Sequence, residues 1–296
     1  MTSTKPSAAR RALPRLWSTL RYLMTPKASR AGIAIIAAIA LMIVAGSAVA
    51  GSPYATSAAI NSPPSLAHIF GTDYLGRDVF SQVVHGAYVS LFVAIVASIA
   101  SVLLGSVIGM FAGYYSKAEA PLSGLGDVLM AFPTLPFLIL LGLLFSPTNL
   151  LIAVLLAIVL WPAVSRSIRA QVASIKRRPY VDAARVGGYS DMRIIFSIIS
   201  PEITPISMAY FVINTSSAIV IVTALEFLGV GNVNVVTWGS ILYWAQQYAF
   251  FSGDWWWVLA PGLVISLLAI GLALVGYAVE EITNPRLRSV RLATTH

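Results

Sequence analysis

Long apolar runs separated by short polar segments dominate this chain. Six runs are candidates for membrane-spanning helices: 31–51, 89–113, 127–145, 149–166, 203–227 and 257–279. A helix needs about 20 apolar residues to cross the hydrocarbon core of a bilayer. The uncharged stretch between Asp127 and Arg166 is too long for one span, and the Ser-Pro-Thr-Asn sequence at 146–149 predicts a turn in its middle. The pattern therefore predicts an all-α, polytopic membrane protein with six transmembrane helices.

Composition supports this class. The chain is 58% hydrophobic and 10% charged, whereas soluble domains contain about 25% charged residues. It has no cysteine, which excludes disulfides, thiolate nucleophiles and cysteine-ligated metals. The basic N-terminal tail and the apolar run after it have the order of a signal peptide. That run, of about 20 residues, exceeds the usual 7–15, so we interpret it as the first span.

In the predicted six-span topology, lysine and arginine lie almost entirely on one side of the membrane. The tail 1–30, Lys117, the loop 166–201 and the C-terminal tail together carry eighteen of the nineteen, and Arg77 alone lies on the other side. Because basic residues mark the cytoplasmic side, both termini and the loop 166–201 are predicted to be cytoplasmic. The net charge of +8 is then a signal of topology, and no nucleic-acid partner is expected.

The loop 166–201 contains a short helix with clear ends. Pro179 suits the first turn of a helix, where its missing N–H costs nothing, and Asp182 there favours the helix dipole. Ala183 and Ala184 form helix well and have small surfaces, which would let another protein approach closely. The pair of glycines that ends at Gly188 predicts the helix end, because glycine accepts a left-handed conformation.

A second helix is predicted immediately afterwards. Ser190 is suited to cap it, Asp191 lies in its first turn, and Pro201 is expected to stop it. The pair of helices would lie at the membrane surface. Local signals leave two interpretations open: an interfacial loop with no partner, or a docking surface for another protein.

The spacing Asp-Ala-Ala-x3-Gly-x9-Ile-x2-Pro, from Asp182 to Pro201, resembles the signature loop of ABC importer permeases. The resemblance implies that the loop lies in a cleft of an ATP-binding subunit and transmits its closure to the membrane helices. Two positions depart from the usual pattern: Asp182 replaces glutamate, and Ser200 replaces an apolar residue. The first change leaves the geometry of the implied salt bridge open.

A second motif lies before the predicted second span, on the external side. Its sequence, Gly-Thr-Asp-Tyr-Leu-Gly-Arg-Asp, resembles the corresponding stretch of C-type permeases of the dipeptide/oligopeptide/nickel importers. The residues of interest are Gly71, Thr72, Asp73, Gly76, Arg77 and Asp78. We expect Arg77 to pair with an aspartate of its own segment and the motif to contact partner subunits. Two carboxylates do not make a calcium loop, so a metal site is disfavoured.

A third match surrounds the end of the predicted fifth span, where Glu-Phe-Leu-Gly-Val-Gly at 226–231 and Thr-Trp-Gly-Ser at 237–240 resemble elements of the same permeases. Glu226 is either a functional intramembrane carboxylate or a helix-end group with access to water. The polar patch Asn214, Thr215, Ser216 and Ser217 either bonds helices together or lines a pathway.

Several aromatic residues and prolines complete the pattern. The three tryptophans at 255–257, with Trp238 and Trp244, are interpreted as an interfacial aromatic belt in preference to a sugar-stacking platform. Pro133, Pro136 and Pro162 are candidates for kinks within spans.

The resemblance covers about 65–290 and implies the type I ABC importer permease fold, as the C-type subunit of a peptide-class importer. It implies a heterodimer with a homologous B-type permease, two ABC ATP-binding subunits and an external solute-binding protein, in contact with membrane lipid. The expected organisation is a cytoplasmic tail (1–30), a first span with an external loop (31–88), a transmembrane domain (89–283) and a second cytoplasmic tail (284–296), in the cell membrane.

No phosphate-binding loop and no catalytic constellation occur in the sequence. We therefore expect no catalytic residue, cofactor or metal on this chain, with ATP and magnesium bound by the partner subunits. Peptides are the expected solute, and oligosaccharides or nickel remain open. An ion-gradient-driven secondary transporter is the alternative, and it is disfavoured because no ionisable residue lies in the middle of a predicted span.

Overall fold

The computed structural model describes residues 27–145 and 147–283, and these parts of the chain are built from helices. In chain order they are α1 Lys27–Val49, α2 Val79–Tyr114, α3 Ser116–Ala131, α4 Thr134–Phe145, α5 Asn149–Ile175, α6 Pro179–Val186, α7 Asp191–Ile194, a π-helix Ile195–Ile199, α8 Ser200–Phe227, α9 Trp238–Ser252 and α10 Trp255–Thr283. Residues 1–26 and 284–296, which make up most of the predicted cytoplasmic tails and hold most of their basic residues, lie outside the described residues, whereas 27–30 belong to α1.

Five helical stretches of the described chain are long and apolar enough to cross a membrane: α1, α2, α5, the continuous segment from α7 to α8, and α10. The pair α3–α4 passes the same test together, which gives six spans if the pair is one span. The two helices are bent by 85° at a short break, so the predicted span 127–145 is interrupted, as the kink candidate Pro133 indicated. The break contains Pro133, which has no N–H to continue a helical hydrogen-bond ladder.

The predicted stop at Pro201 is also wrong. The chain continues from Asp191 to Phe227 as one span, and Pro201 lies in the first turn of α8. The preceding π-helix explains this continuity: the Ser200 N–H donates to the Ile195 carbonyl, one residue further back than in an α-helix. In the first turn of a new α-helix the missing proline N–H has no intrahelical partner to lose.

Helix α2 packs against α5 along a stripe of glycines. A Cβ atom added to Gly105, Gly109 or Gly113 would lie 2.7–2.8 Å from the carbonyl oxygen of Trp161, Ser165 or Arg169, respectively. These glycines therefore let the two backbones approach more closely than any side chain would allow. Small residues four apart are typical of tight helix pairs in membranes, where van der Waals packing drives association.

Two apolar clusters form the interior of the described chain. The larger one joins α1, α2, α8, α9 and α10 and includes Trp238 and Trp257, neither of which is exposed. The second joins the C-terminal part of α2 to α5, α6, the π-helix and α8. Residues Val181 and Ala184 of α6 belong to this second cluster, so the short loop helix is packed onto the ends of the long helices.

Candidate functional site

The loop between α5 and α8 has the local geometry predicted from its sequence. Helix α6 begins at Pro179 and ends at Val186, and Gly188 has a φ of +79°. The N–H of Tyr189 donates to the Ala184 carbonyl at 3.1 Å, which closes the helix end. Ser190 caps α7 by accepting from the Arg193 N–H, as predicted. The loop is therefore a defined helix–turn–helix in this structure.

Helix α6 has two different faces. Val181 is fully buried and Ala184 is 8% exposed, and both pack inward against the chain's own helices. Asp182 and Ala183 lie on the exposed face, together with Val186, whose side chain is 91% exposed. The interpretation that Ala184 presents a small surface to another protein is therefore wrong. Its side chain packs inward and fixes α6 to the chain's own helices. An eight-residue helix has too few turns for its sequence to show which face is buried.

The sequence interpretation missed the exposed apolar residues of this loop. Val186, Tyr189 and Met192 are 91%, 42% and 48% exposed and extend the outer face of α6 toward α7. Together these side chains are a candidate contact surface. In the sequence these residues appear only as isolated apolar positions within a strongly basic segment. We call the exposed residues Asp182, Ala183, Val186, Tyr189 and Met192 the outer face of the loop.

The external motif folds around Asp73, which is fully buried. Its carboxylate accepts from the backbone N–H groups of Leu75 and Arg77, each at 2.9 Å, and from Arg77 Nε at 2.7 Å. Gln82 Nε2, from the first turns of α2, donates to it at 2.9 Å. The predicted pairing of Arg77 within its own segment is confirmed. The four N–H donors make Asp73 an anchor that fixes the motif to the start of α2.

The other polar residues of the motif bind neighbouring backbone. Asp78 caps α2 by accepting from the Ser81 N–H at 2.7 Å and also contacts His68 Nδ1 at 3.1 Å. Thr72 receives a hydrogen bond from the Ser62 N–H at 2.9 Å. The φ of Gly71 and of Gly76 is +73°. These contacts make the predicted motif a rigid turn at the end of the longest helix.

Tryptophans pack underneath this turn. Trp256 is 9% exposed and its Nε1 donates to the Thr72 carbonyl at 3.2 Å, while Trp257 is fully buried. Trp255 is 60% exposed. The interpretation of the cluster as an interfacial belt is therefore wrong for Trp256 and Trp257, and neither ring forms an open platform for a sugar. Consecutive residues of a helix point about 100° apart, so three tryptophans in a row cannot share one face.

Tyr74 extends this aromatic packing to α9, a helix that the span pattern did not predict. Its ring stacks on Tyr248 with 4.0 Å between centroids and an interplanar angle of 8°, and its centroid lies 5.6 Å from that of Trp257. Burial raises the pKa of the Tyr74 phenol above its usual value, against the opposing effect of Arg77. The phenol therefore stays neutral across the physiological pH range, as a stacked packing residue requires.

Glu226 lies at the end of α8 and is 5% exposed, so the alternative with access to water is wrong for this conformation. Its Oε2 accepts from Thr237 Oγ1 at 2.7 Å, just before the start of α9. Gly239 lies directly against it, because a Cβ there would be 2.5 Å from the same oxygen. Glu226 thus joins the end of the fifth predicted span to α9. Trp238, which directly follows Thr237, donates from Nε1 to the Val83 carbonyl of α2 at 2.9 Å.

The polar patch of α8 makes hydrogen bonds to neighbouring helices. Asn214 Nδ2 donates to Ser101 Oγ of α2 at 2.8 Å, and Ser216 Oγ donates to the Ala269 carbonyl of α10 at 2.8 Å. Thr215 bonds within its own helix, to the Phe211 carbonyl at 2.7 Å. Two of these residues therefore bond helices together. A pathway-lining role for Asn214, Thr215, Ser217 and Glu226 stays a prediction.

Comparison with known proteins agrees with this arrangement. Residues 101–289 match the family described as binding-protein-dependent transport system inner membrane component. A Brucella suis protein, named provisionally as a permease of a peptide transport system, is 33% identical over 273 residues, which cover 91% of this chain and 92% of that protein. The dipeptide transport system permease protein of Alkalihalophilus pseudofirmus is 31% identical over 275 residues, covering 91% and 89%. That of Bacillus subtilis is 32% identical over 274 residues, covering 90% and 85%.

This family comprises the permeases of ABC importers, which are transport components and not catalytic subunits, so the alternative of an ion-gradient-driven secondary transporter is wrong. Such a permease works with ABC subunits and a solute-binding protein. The helical architecture, the membrane spans and the three resembling motifs fit that assignment. The chain belongs to the family of binding-protein-dependent transport system inner membrane components, as a multi-pass ABC importer permease of the dipeptide/oligopeptide class.

Proposed function

We propose that this permease forms half of a translocation pathway for peptides and is driven through the loop between α5 and α8. The observation that carries the coupling role is the two-sided helix α6. Val181 and Ala184 fix it to the interior, while Asp182, Ala183 and Val186 face outward. A helix anchored in this way moves together with the membrane helices when a partner pulls on its outer face.

The proposed partners follow the expectations from sequence. Two ATP-binding subunits bind ATP and magnesium and hold the outer face of the loop in their clefts. A homologous B-type permease completes the pathway, and an external binding protein delivers solute. The loop lies on the cytoplasmic side, and the external motif Gly71–Asp78 lies on the opposite side with Arg77 as the only basic residue there. This chain hydrolyses no ATP by itself.

The names of the similar proteins support peptides as the solute, since those proteins are named as permeases of peptide and dipeptide transport systems. The transport direction follows from dependence on an external binding protein. Closure of the ATP-binding subunits would displace the loop, and with it the cytoplasmic ends of α2, α5 and α8, which share the second apolar cluster with α6.

The complete importer in proteoliposomes tests the solute and the energy source. A mixture of dipeptides, nickel ions and a mixture of malto-oligosaccharides would be supplied separately with the binding protein, and ATP hydrolysis and uptake measured. We expect stimulation and uptake with the dipeptides only. Stimulation by nickel or oligosaccharide alone would overturn the peptide proposal. ATP hydrolysis by this subunit purified without its partners would overturn the division of labour.

A further inference from the structure

Tyr114 occupies a distinctive position, at the last residue of α2 and beneath both helices of the α5–α8 loop. Its side chain is 8% exposed, and its ring belongs to the same apolar cluster as Val181 and Ala184. The sequence interpretation assigned no role to it. Tyrosine brings a polar hydroxyl into this otherwise apolar cluster, which requires a hydrogen-bond partner when buried.

The hydroxyl finds that partner in the loop. Tyr114 OH donates to the carboxylate oxygen Asp191 Oδ1 at 2.6 Å. The ring also lies under the first loop helix, since the guanidinium carbon of Arg185 is 5.6 Å from its centroid. One side chain therefore contacts α6 through Arg185 and α7 through Asp191. It spans the turn at Gly188 that separates these two helices.

The backbone of the same residue makes a third contact. Lys176, immediately after the end of α5, donates from Nζ to the Tyr114 carbonyl at 3.3 Å. This amine satisfies a carbonyl at the end of α2 and favours the negative end of the helix dipole. The start of the loop, its first helix and its second helix thus all contact the final residue of α2.

Helix α2 connects this contact to the external motif. It runs without interruption for 36 residues, and its first turn is capped by Asp78 and bound through Gln82 to Asp73. The glycine stripe at Gly105, Gly109 and Gly113 presses it against α5 along its cytoplasmic half. A displacement of Tyr114 is therefore a displacement of a stiff element that ends at the external motif.

We propose that Tyr114 is a positioning residue for energy coupling. Its hydroxyl holds α7, and its ring holds α6, in the relative orientation that the ATP-binding subunits recognise. The inference rests on the proposed coupling role of the loop and adds the residue through which the loop is attached to α2. Apolar packing through Val181 and Ala184 would keep the loop near the membrane helices without fixing the angle between α6 and α7.

Removal of the hydroxyl alone tests the proposal. Tyr114→Phe keeps the ring beneath Arg185 but removes the hydroxyl, and with it the bond to Asp191 and the polar contact of that hydroxyl with Arg185. The permease pair carrying this change would be placed in nanodiscs, and its cognate ATP-binding subunits titrated to measure Kd. Loss of a hydrogen bond to a charged group predicts binding weakened by about tenfold or more. Hydrogen exchange of the amides in 179–194 should become faster in the same variant.

Changes at the partner separate positioning from general packing. Asp191→Asn retains an oxygen that can accept from the tyrosine hydroxyl in a weaker, neutral bond, and it should lose less binding than Asp191→Ala. Asp191→Ala should also weaken binding, and the double variant should be no weaker than Tyr114→Phe alone. Tyr277→Phe removes a hydroxyl from a residue of α10 that is 63% exposed, and serves as the control that changes nothing.

The outcomes distinguish the two levels of inference. If the unchanged permease binds the ATP-binding subunits and Tyr114→Phe binds them equally well, the positioning role is overturned while the coupling loop stands. Additive losses in the double variant would also overturn it, because the two residues would then act independently. If the unchanged permease pair shows no binding, the proposed coupling function itself fails, and the role of Tyr114 fails with it.

Discussion

Gly188 illustrates how one backbone conformation controls the loop. Its φ of +79° is in the left-handed region, which costs residues other than glycine about 1–2 kcal/mol, with asparagine tolerated best. No atom outside its immediate neighbours lies within 4 Å of a Cβ placed there. The conformation and not crowding therefore makes glycine necessary at this position.

A pair of substitutions at this residue separates conformation from bulk. Gly188→Val places a β-branched side chain in the left-handed region, so the turn between α6 and α7 should open, with at least tenfold less ATP-binding subunit retained on the purified permease. Gly188→Asn adds a side chain of comparable size that tolerates this conformation, and it should retain most of the binding. Equal losses in the two variants would show that the turn geometry is not what matters.

The same residues show what a sequence can and cannot specify at this scale. The Gly-Gly pair and the serine that follows predict a helix end and a new cap, because these depend on local backbone chemistry. The inward orientation of Ala184 and the burial of Glu226 depend on which helices pack against them, and no local signal records that. The partners of Asp73 within five residues were predictable, whereas its bond to Gln82 needs the fold of α2.

At the scale of elements, the spans and the kink candidate Pro133 were predictable from the sequence, but the size of the bend and the π-helix were not. The predicted turn at 146–149 and the long apolar runs indicate the order of the helices. The 85° bend between α3 and α4 and the π-helix at Ile195–Ile199 depend on how prolines are accommodated by surrounding helices. Helix α9 is too mixed in polarity to be predicted as a span, and too buried to be predicted as a surface helix. Its position is determined by packing against α2 and α8, which the sequence does not show.

The packing of α2 on α5 yields a test at this scale. A Cβ on Gly109 would lie 2.7 Å from the Ser165 carbonyl, so Gly109→Leu should force the two helices apart and lower the midpoint of thermal unfolding by several degrees. Gly262→Ala in α10 meets no atom within 4 Å and should leave the midpoint unchanged or slightly higher. The measurement is thermal unfolding of the purified permease in detergent. A Gly109→Leu protein as stable as the original would contradict this close packing.

At the scale of the whole molecule, the asymmetry of basic residues predicts the orientation of the chain in the membrane. Single cysteines can be introduced cleanly because the chain has none of its own. Met192→Cys and Thr56→Cys place one thiol in the α5–α8 loop and one in the external segment, at positions that are both exposed. We expect an impermeant maleimide added to intact cells to label Thr56→Cys only. After the membrane is opened, both should react in cells that lack the ATP-binding subunits, which would otherwise cover Met192. Labelling of Met192→Cys from outside would reverse the topology.

The length of α2 has a consequence for where the loop lies in relation to the lipid. At 1.5 Å per residue its 36 residues extend for about 54 Å, whereas the hydrocarbon core is about 30 Å thick. The helix is therefore about 24 Å longer than the apolar layer is thick, and any tilt of the helix reduces this excess. We expect part of this excess to lie at Tyr114, which would hold α6 and α7 in the headgroup region or the water beyond. A soluble partner can then bind the loop without entering the lipid. In a bilayer several ångströms thicker, this binding site would lie closer to the membrane surface.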